Sequence, residues 1–137
     1  MTLVIDSSVA IKWFAPEPHF EEAADLLRGE EPLVAPSLVL AEVANAMWRK
    51  ERAGEVTAAQ TSEAIEELQT MLILRPLDAT LTSAAADIAR VVGHSIYDCM
   101  FLACALAENA QLFTADAKFA SKVVDERFRG ILRFIAA

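Results

Sequence analysis

The 137-residue chain has only four glycines, and no glycine-rich loop of the kind that cradles phosphates can be drawn from them. Cysteine is scarcer still. Cys99 and Cys104 stand five positions apart, which on a helix is roughly 7.5 Å of rise with diverging side chains, so a local bridge is excluded. Two free thiols fit a reducing compartment, and no His/Cys cluster has the spacing of a zinc site. Basic residues are also few, 12 against 20 acidic, for a net charge of −8. That balance weighs against gripping nucleic acid by bulk electrostatics. It leaves two uses for the acids: gathering around a cation that reverses the local field, or meeting a basic partner. No apolar run approaches the ~20 residues of a membrane span. The opening MTLVIDSSVAIKW lacks the basic start and long apolar stretch of a secretory signal. A cytoplasmic protein with no membrane contact is expected.

What is present is apolar and orderly. The apolar fraction of 55% and a length fit for one core predict a globular chain, residues 1–137 as a single domain without linker or repeat. Short apolar runs alternate with helical stretches. LVI (3–5), PLVAP (32–36), LILRPL (72–77), QLFTAD (111–116) and ILRFI (131–135) read as strands. Between them, helices are expected over VAIKWF, FEEAADLLRGE, LVLAEVANAMWRKERAG, AAQTSEAIEELQTM, DATLTSAAADIARVVG, SIYDCMFLACALAENA and AKFASKVVDERF. Ser37, Thr57, Asp78, Ser95 and Asp116 stand where caps belong, and Gly54 and Gly93 where helices end. Strands without polar alternation, separated by helices, predict a five-stranded parallel sheet covered on both faces.

Sites in such a sheet form at the carboxyl ends of strands. Asp6 follows LVI and Asp116 follows LFT; Asp98 and Glu42 lie near the starts of apolar helices. Each has a plainer use. Asp6 suits a strand-to-helix turn, Asp116 an N-cap, and Asp98 the reciprocal partner of Ser95 in a capping box. Glu42 is different, because Leu38, Val39, Leu40, Ala41, Val43, Ala44, Ala46 and Met47 surround it with an apolar segment. A carboxylate there must be paired, metal-bound or protonated. Arg49, two turns on, is the candidate ion-pair partner, and Asn45 shares the face. His94, at a helix end, and His19, in a Pro/Glu-rich stretch, read as incidental.

Taken in order, these residues resemble the PIN-domain family, most nearly the VapC-type ribonuclease toxins of type II toxin–antitoxin pairs. Asp6-Ser7-Ser8 resembles its opening D-x-S/T motif, and Glu42 with Asn45 its helical E-x-x-N element. Ser95-Ile96-Tyr97-Asp98 resembles its S-x-Y-D segment, and Thr114-Ala115-Asp116 with Phe119 its T-x-D-x-x-F element. Cys99 departs from the small residue common there. The resemblance implies a PIN-like three-layer α/β fold, a five-stranded parallel sheet with helices on both faces that brings Asp6, Glu42, Asp98 and Asp116 together. Clustered carboxylates repel, and hard Mg²⁺, or Mn²⁺ in its place, relieves that repulsion. Asp6 and Asp98 are expected as main ligands, with Asp116 and Glu42 completing the metal site. Glu42 would orient or deprotonate the attacking water. Ser8, Asn45 and Thr114 are candidates to hold waters or phosphate oxygens. The implied activity is endonucleolytic hydrolysis of RNA, and the implied partners are a cognate antitoxin protein and a second copy of the chain. Two alternatives stay open: a PIN-fold binding module without activity, and an Asp-nucleophile phosphatase, for which Ser8 stands where a second Asp is wanted. An ion pair between Glu42 and an arginine, away from the other acids, would overturn the metal site.

Overall fold

The structure, a computed structural model, describes residues 1–135. Its five strands are β1 (Leu3–Ile5), β2 (Leu33–Pro36), β3 (Ile73–Arg75), β4 (Gln111–Thr114) and β5 (Leu132–Phe134). They form one sheet in the order β3-β2-β1-β4-β5, every pairing parallel. β1 is the centre, with Leu3 opposite Leu33 on one side and Gln111 on the other. From β1 the chain steps outward through β2 to β3, then returns across the sheet to β4 and continues to β5. Right-handed crossovers therefore put the helices of the first half on one face and those of the second half on the other. The reversal falls between β1 and β4. Their carboxyl ends flank the crevice where a doubly wound sheet binds its ligands.

The helices are α1 (Ser7–Ala10), α2 (Phe20–Arg28), α3 (Leu38–Arg52), α4 (Ala58–Met71), α5 (Ala79–Val92), α6 (Ile96–Glu108), α7 (Ala117–Lys122) and α8 (Glu126–Arg129). α6 is the pillar of the core: every residue from Cys99 to Ala105 is buried, and it packs on β1, β2 and β4 with α5 alongside. Apolar residues on all sides are what a helix so enclosed requires. α3 and α4 pair with each other and reach β2 and β3 respectively. Their junction is set by Gly54 at φ 77°, a left-handed position that glycine takes without steric cost. It is set also by a capping box in which Gln60 N donates to Thr57 Oγ1 at 3.1 Å and Thr57 N donates to Gln60 Oε1 at 2.8 Å. No single helix is long and apolar enough to cross a membrane among the described residues.

Three local expectations are corrected. The first helix starts at Ser7, directly after β1 and ahead of the expected VAIKWF stretch, and continues as a 3₁₀ turn over Ile11–Trp13. The stretch expected as one helix from Ala117 breaks at Val123. There β-branched residues favour extended backbone, and Asp125 captures Arg127 N at 2.9 Å to cap a separate α8. The sheet is also not covered throughout. Ile73 on β3 and Phe134 on β5 are 46% and 41% exposed, because helices lie over the central strands and leave the edges partly open.

Candidate active site

Asp6 ends the central strand. Its amide donates to Phe113 O at 3.0 Å, so β1 pairing extends one residue into the site, and its own carbonyl accepts the first helical bonds from Val9 and Ala10. Its carboxylate makes no cap bond. Instead Oδ2 accepts from Ser8 Oγ at 2.5 Å and from Thr114 Oγ1 at 2.9 Å. Thr114 lies 108 positions away along the chain and ends the neighbouring strand, so the β1–β4 register is what creates this contact. The same two hydroxyls tie down the loop after β4, with Ala115 N donating to Ser8 Oγ at 2.9 Å and Asp116 N to Thr114 Oγ1 at 3.1 Å. Thr114 is fully buried, which closes it to a phosphate; its part is to aim Asp6 and Asp116.

Asp116 acts as the expected cap, its Oδ1 accepting from Phe119 N at 3.0 Å. The residue also lines a cleft of about 200 Å³ whose walls are Asp6, Ser7, Ser8, Ile11, Glu42, Ala46, Arg49, Asp98 and Asp116. Cap and cleft uses therefore coexist. All four acids singled out in the sequence face this one cleft. Glu42 reaches it from α3 and is held by Ser7 Oγ, which donates to Oε1 at 2.6 Å. The ion pair with Arg49 is not formed. Among the described residues, none of the four acids pairs with a lysine or arginine. Asn45, one turn from Glu42, is exposed and lies outside the cleft lining.

Asp98 sits in the first turn of α6. Ser95 Oγ accepts from Asp98 N at 3.4 Å, so half of the expected capping box exists. The reciprocal half does not. The Asp98 carboxylate turns to His94, whose Nε2 lies 2.5 Å from Oδ2. His94 was not a candidate in the sequence, since a lone histidine at a helix end has no local signature. The available signal was its place beside Gly93, whose left-handed φ of 72° folds residue 94 back over the start of α6. Ligand atoms of His94, Asp98 and Asp116 all lie within 4.8 Å of one another.

The electrostatics follow from burial and crowding. Asp6 is 4% exposed. Removal from water, opposed by the bonds from Ser8 and Thr114 and reinforced by the negative charges of Asp98 and Glu42, pushes its carboxyl up to about 6. Glu42 is raised too, chiefly by desolvation and against the Ser7 bond, with Asp98 adding repulsion. Next to Asp98, burial pushes the Cys99 thiol up to about 11. Both cysteines are buried and free, as their spacing predicts. A cluster of carboxylate oxygens with no lysine or arginine partner among the described residues, at the switch point of a parallel sheet, is a donor set suited to a hard divalent cation.

A sequence model of the PIN domain matches residues 3–124. The chain belongs to the PIN domain family. Within that family it is similar to the ribonuclease VapC3 of Pyrobaculum aerophilum, 28% identical over 124 residues that span 89% of this chain and 95% of that one. Its PIN fold also matches solved structures. One is VapBC2 of Rickettsia felis bound to a DNA fragment from its promoter, with a TM-score of 0.66, 18% identity and 98% of each chain covered. Another is a toxin–antitoxin complex from Klebsiella pneumoniae, with a TM-score of 0.72, 11% identity and 97% of each chain covered.

Proposed function

We propose that this PIN domain chain is a divalent-metal-dependent endoribonuclease and the toxin of a type II toxin–antitoxin pair, acting in the cytoplasm as a single domain over residues 1–137. The observation that carries the reading is the cleft itself: four carboxylates from four separate segments, with no lysine or arginine partner among the described residues, line one opening at the strand ends. The likeness to a protein named ribonuclease VapC3 supports the substrate class, and the likeness to toxin–antitoxin complexes supports the partner.

Asp6, Asp98 and Asp116 would hold the cation, with Glu42 at its edge. Bound Mg²⁺ or Mn²⁺ supplies charge stabilisation at the phosphate and a more acidic attacking water. The protein's own groups do the rest. Ser8 and Thr114 hold Asp6 in one orientation, and Ser7 does the same for Glu42, leaving Oε2 to take a proton from the attacking water. The water oxygen bonds to phosphorus as the bond to the leaving oxygen breaks. Burial, by raising Glu42, makes it a stronger base than a solvated glutamate. An antitoxin that inserts a basic side chain among these acids would exclude the cation and silence the site. A second copy of the chain is the other partner, as alanine-rich helix faces allow.

The reading is tested with purified protein and a total-RNA substrate. Cleavage is expected with Mg²⁺ or Mn²⁺ and is expected to stop with EDTA; cleavage that persists in chelator sinks it. Arg49 refines the substrate side. Among the described residues it is the one basic residue on the cleft wall, and no carboxylate claims it. It is therefore free to meet a phosphate. Arg49→Gln is expected to weaken RNA binding about tenfold, the order of one charge-assisted hydrogen bond, and to lower the salt slope of binding by about 1. Mn²⁺ affinity should not change. Filter binding across a salt series on an inactive background reads both.

A further inference from the structure

His94 stands at a junction between two of the cleft's acids. One edge of its ring meets Asp98, Nε2 to Oδ2 at 2.5 Å. The ring packs in a tilted contact with Phe119, with ring centroids 5.2 Å apart at an interplanar angle of 42°. Phe119 is fully buried, and its amide is the one that Asp116 Oδ1 caps at 3.0 Å. The histidine side chain is itself only 13% exposed. An ionised carboxylate can only accept, so a bond from the ring to it requires the proton on Nε2. Asp98 Oδ2 is thereby occupied, while Oδ1 has no side-chain partner among the described residues. A carboxylate whose second oxygen is tied in this way loses rotational freedom before any cation arrives, which is what outer partners of metal ligands provide.

We propose that His94 is a positioning residue of the cation site, fixing Asp98 through Nε2 and registering it against Asp116 through Phe119. The proposal rests on the metal-dependent reading above and adds to it a residue that touches neither substrate nor cation. Gly93 belongs to the same device. Its left-handed φ of 72° is the turn that carries residue 94 from the end of α5 to the start of α6. Among the described residues, the bond to Asp98 is the one side-chain hydrogen bond the imidazole makes.

The test compares wild type, His94→Phe and His94→Gln in Mn²⁺ titrations followed by electron paramagnetic resonance, with thermal midpoints recorded for each. Phenylalanine keeps a ring against Phe119 but has no N–H. The glutamine amide nitrogen reaches about as far from the backbone as Nε2 does and restores the donor. His94→Phe is expected to weaken Mn²⁺ binding about 10–100-fold, the usual effect of losing an outer partner, with His94→Gln recovering most of it. Cleavage by His94→Phe should return toward wild type at saturating Mn²⁺. Equal Mn²⁺ affinity in wild type and a folded His94→Phe overturns the proposal. So does failure of His94→Gln to recover affinity while its thermal midpoint matches wild type, or a directly coordinated nitrogen in the spin-echo spectrum of the wild-type complex. A wild-type protein that binds no Mn²⁺ and cuts RNA in chelator sinks the metal reading itself, a separate result from any of these.

Discussion

Asp6→Asn is expected to abolish RNA cleavage and, in chelator at neutral pH, to make the fold more stable. The two effects share one cause. Asp6 is nearly excluded from water, and its carboxyl is pushed from the ordinary 3.8 to about 6. Between those values the folded chain keeps a proton that the unfolded chain releases. Stability without a cation is then undiminished below the lower value and falls as pH rises, by about 1.4 kcal/mol per unit. By pH 7 the loss amounts to about 3 kcal/mol. Asparagine has no charge to desolvate, and its amide oxygen can still accept from Ser8 and Thr114. The difference in unfolding free energy between variant and wild type should therefore grow from pH 4 to pH 7 in EDTA. Divalent ion should restore the wild type and leave the variant unmoved. Cleavage should drop by well over the ~100-fold that follows loss of an outer partner. Urea unfolding at several pH values, beside an RNA cleavage assay, checks all three. A variant less stable than wild type at pH 7 in EDTA would show that the buried charge is already compensated.

Glu42→Gln is expected to lower kcat by ~10²–10⁴-fold, the range for removing a general base, with Mn²⁺ affinity changed only a few-fold. The split distinguishes a proton acceptor from a ligand. Glutamine preserves the oxygen that accepts from Ser7, so the side chain stays in place and only its basicity goes. Because burial raises Glu42 above the usual carboxylate range, wild-type activity should fall on the acid side as that group gains a proton. The variant should lack this limb. Single-turnover cleavage over a pH series with Mn²⁺ held saturating provides the comparison, and an unchanged kcat would assign Glu42 to another task.

Much of this site was legible in the chain, for uneven reasons. Asp6 and Asp116 could be placed at strand ends because a strand running straight into a cap is a local pattern. Glu42 stood out because an acid ringed by apolar residues needs an explanation, and the structure answers with Ser7 rather than Arg49. The strand order was not legible. Parallel strands carry no local mark of their neighbours, so the placement of β4 beside β1 comes only from the sheet itself. The role of His94 is illegible in the sequence for a similar reason. Its meaning depends on a left-handed turn at Gly93 and on an acid in the next helix, neither of which a lone histidine announces. The split between α7 and α8 turns on Asp125 preferring to cap rather than to continue a helix, a competition too close to decide from propensity. Thr114, a candidate in the sequence to hold waters or phosphate oxygens, is fully buried in the fold and gives its hydroxyl to Asp6.

The pairing of the first strand with the fourth has a consequence for synthesis. Leu3 must find Gln111, and Ile5 must find Phe113, before the central strand has both neighbours. Contacts so distant along the chain form late and slowly. On the ribosome, a growing chain that has not yet emerged past residue 116 holds Asp6 without the Thr114 hydroxyl that orients it, and the cleft without its fourth acid. The cleft thus cannot assemble until the fourth strand and the residues just after it are available, and a polypeptide abandoned before them lacks it.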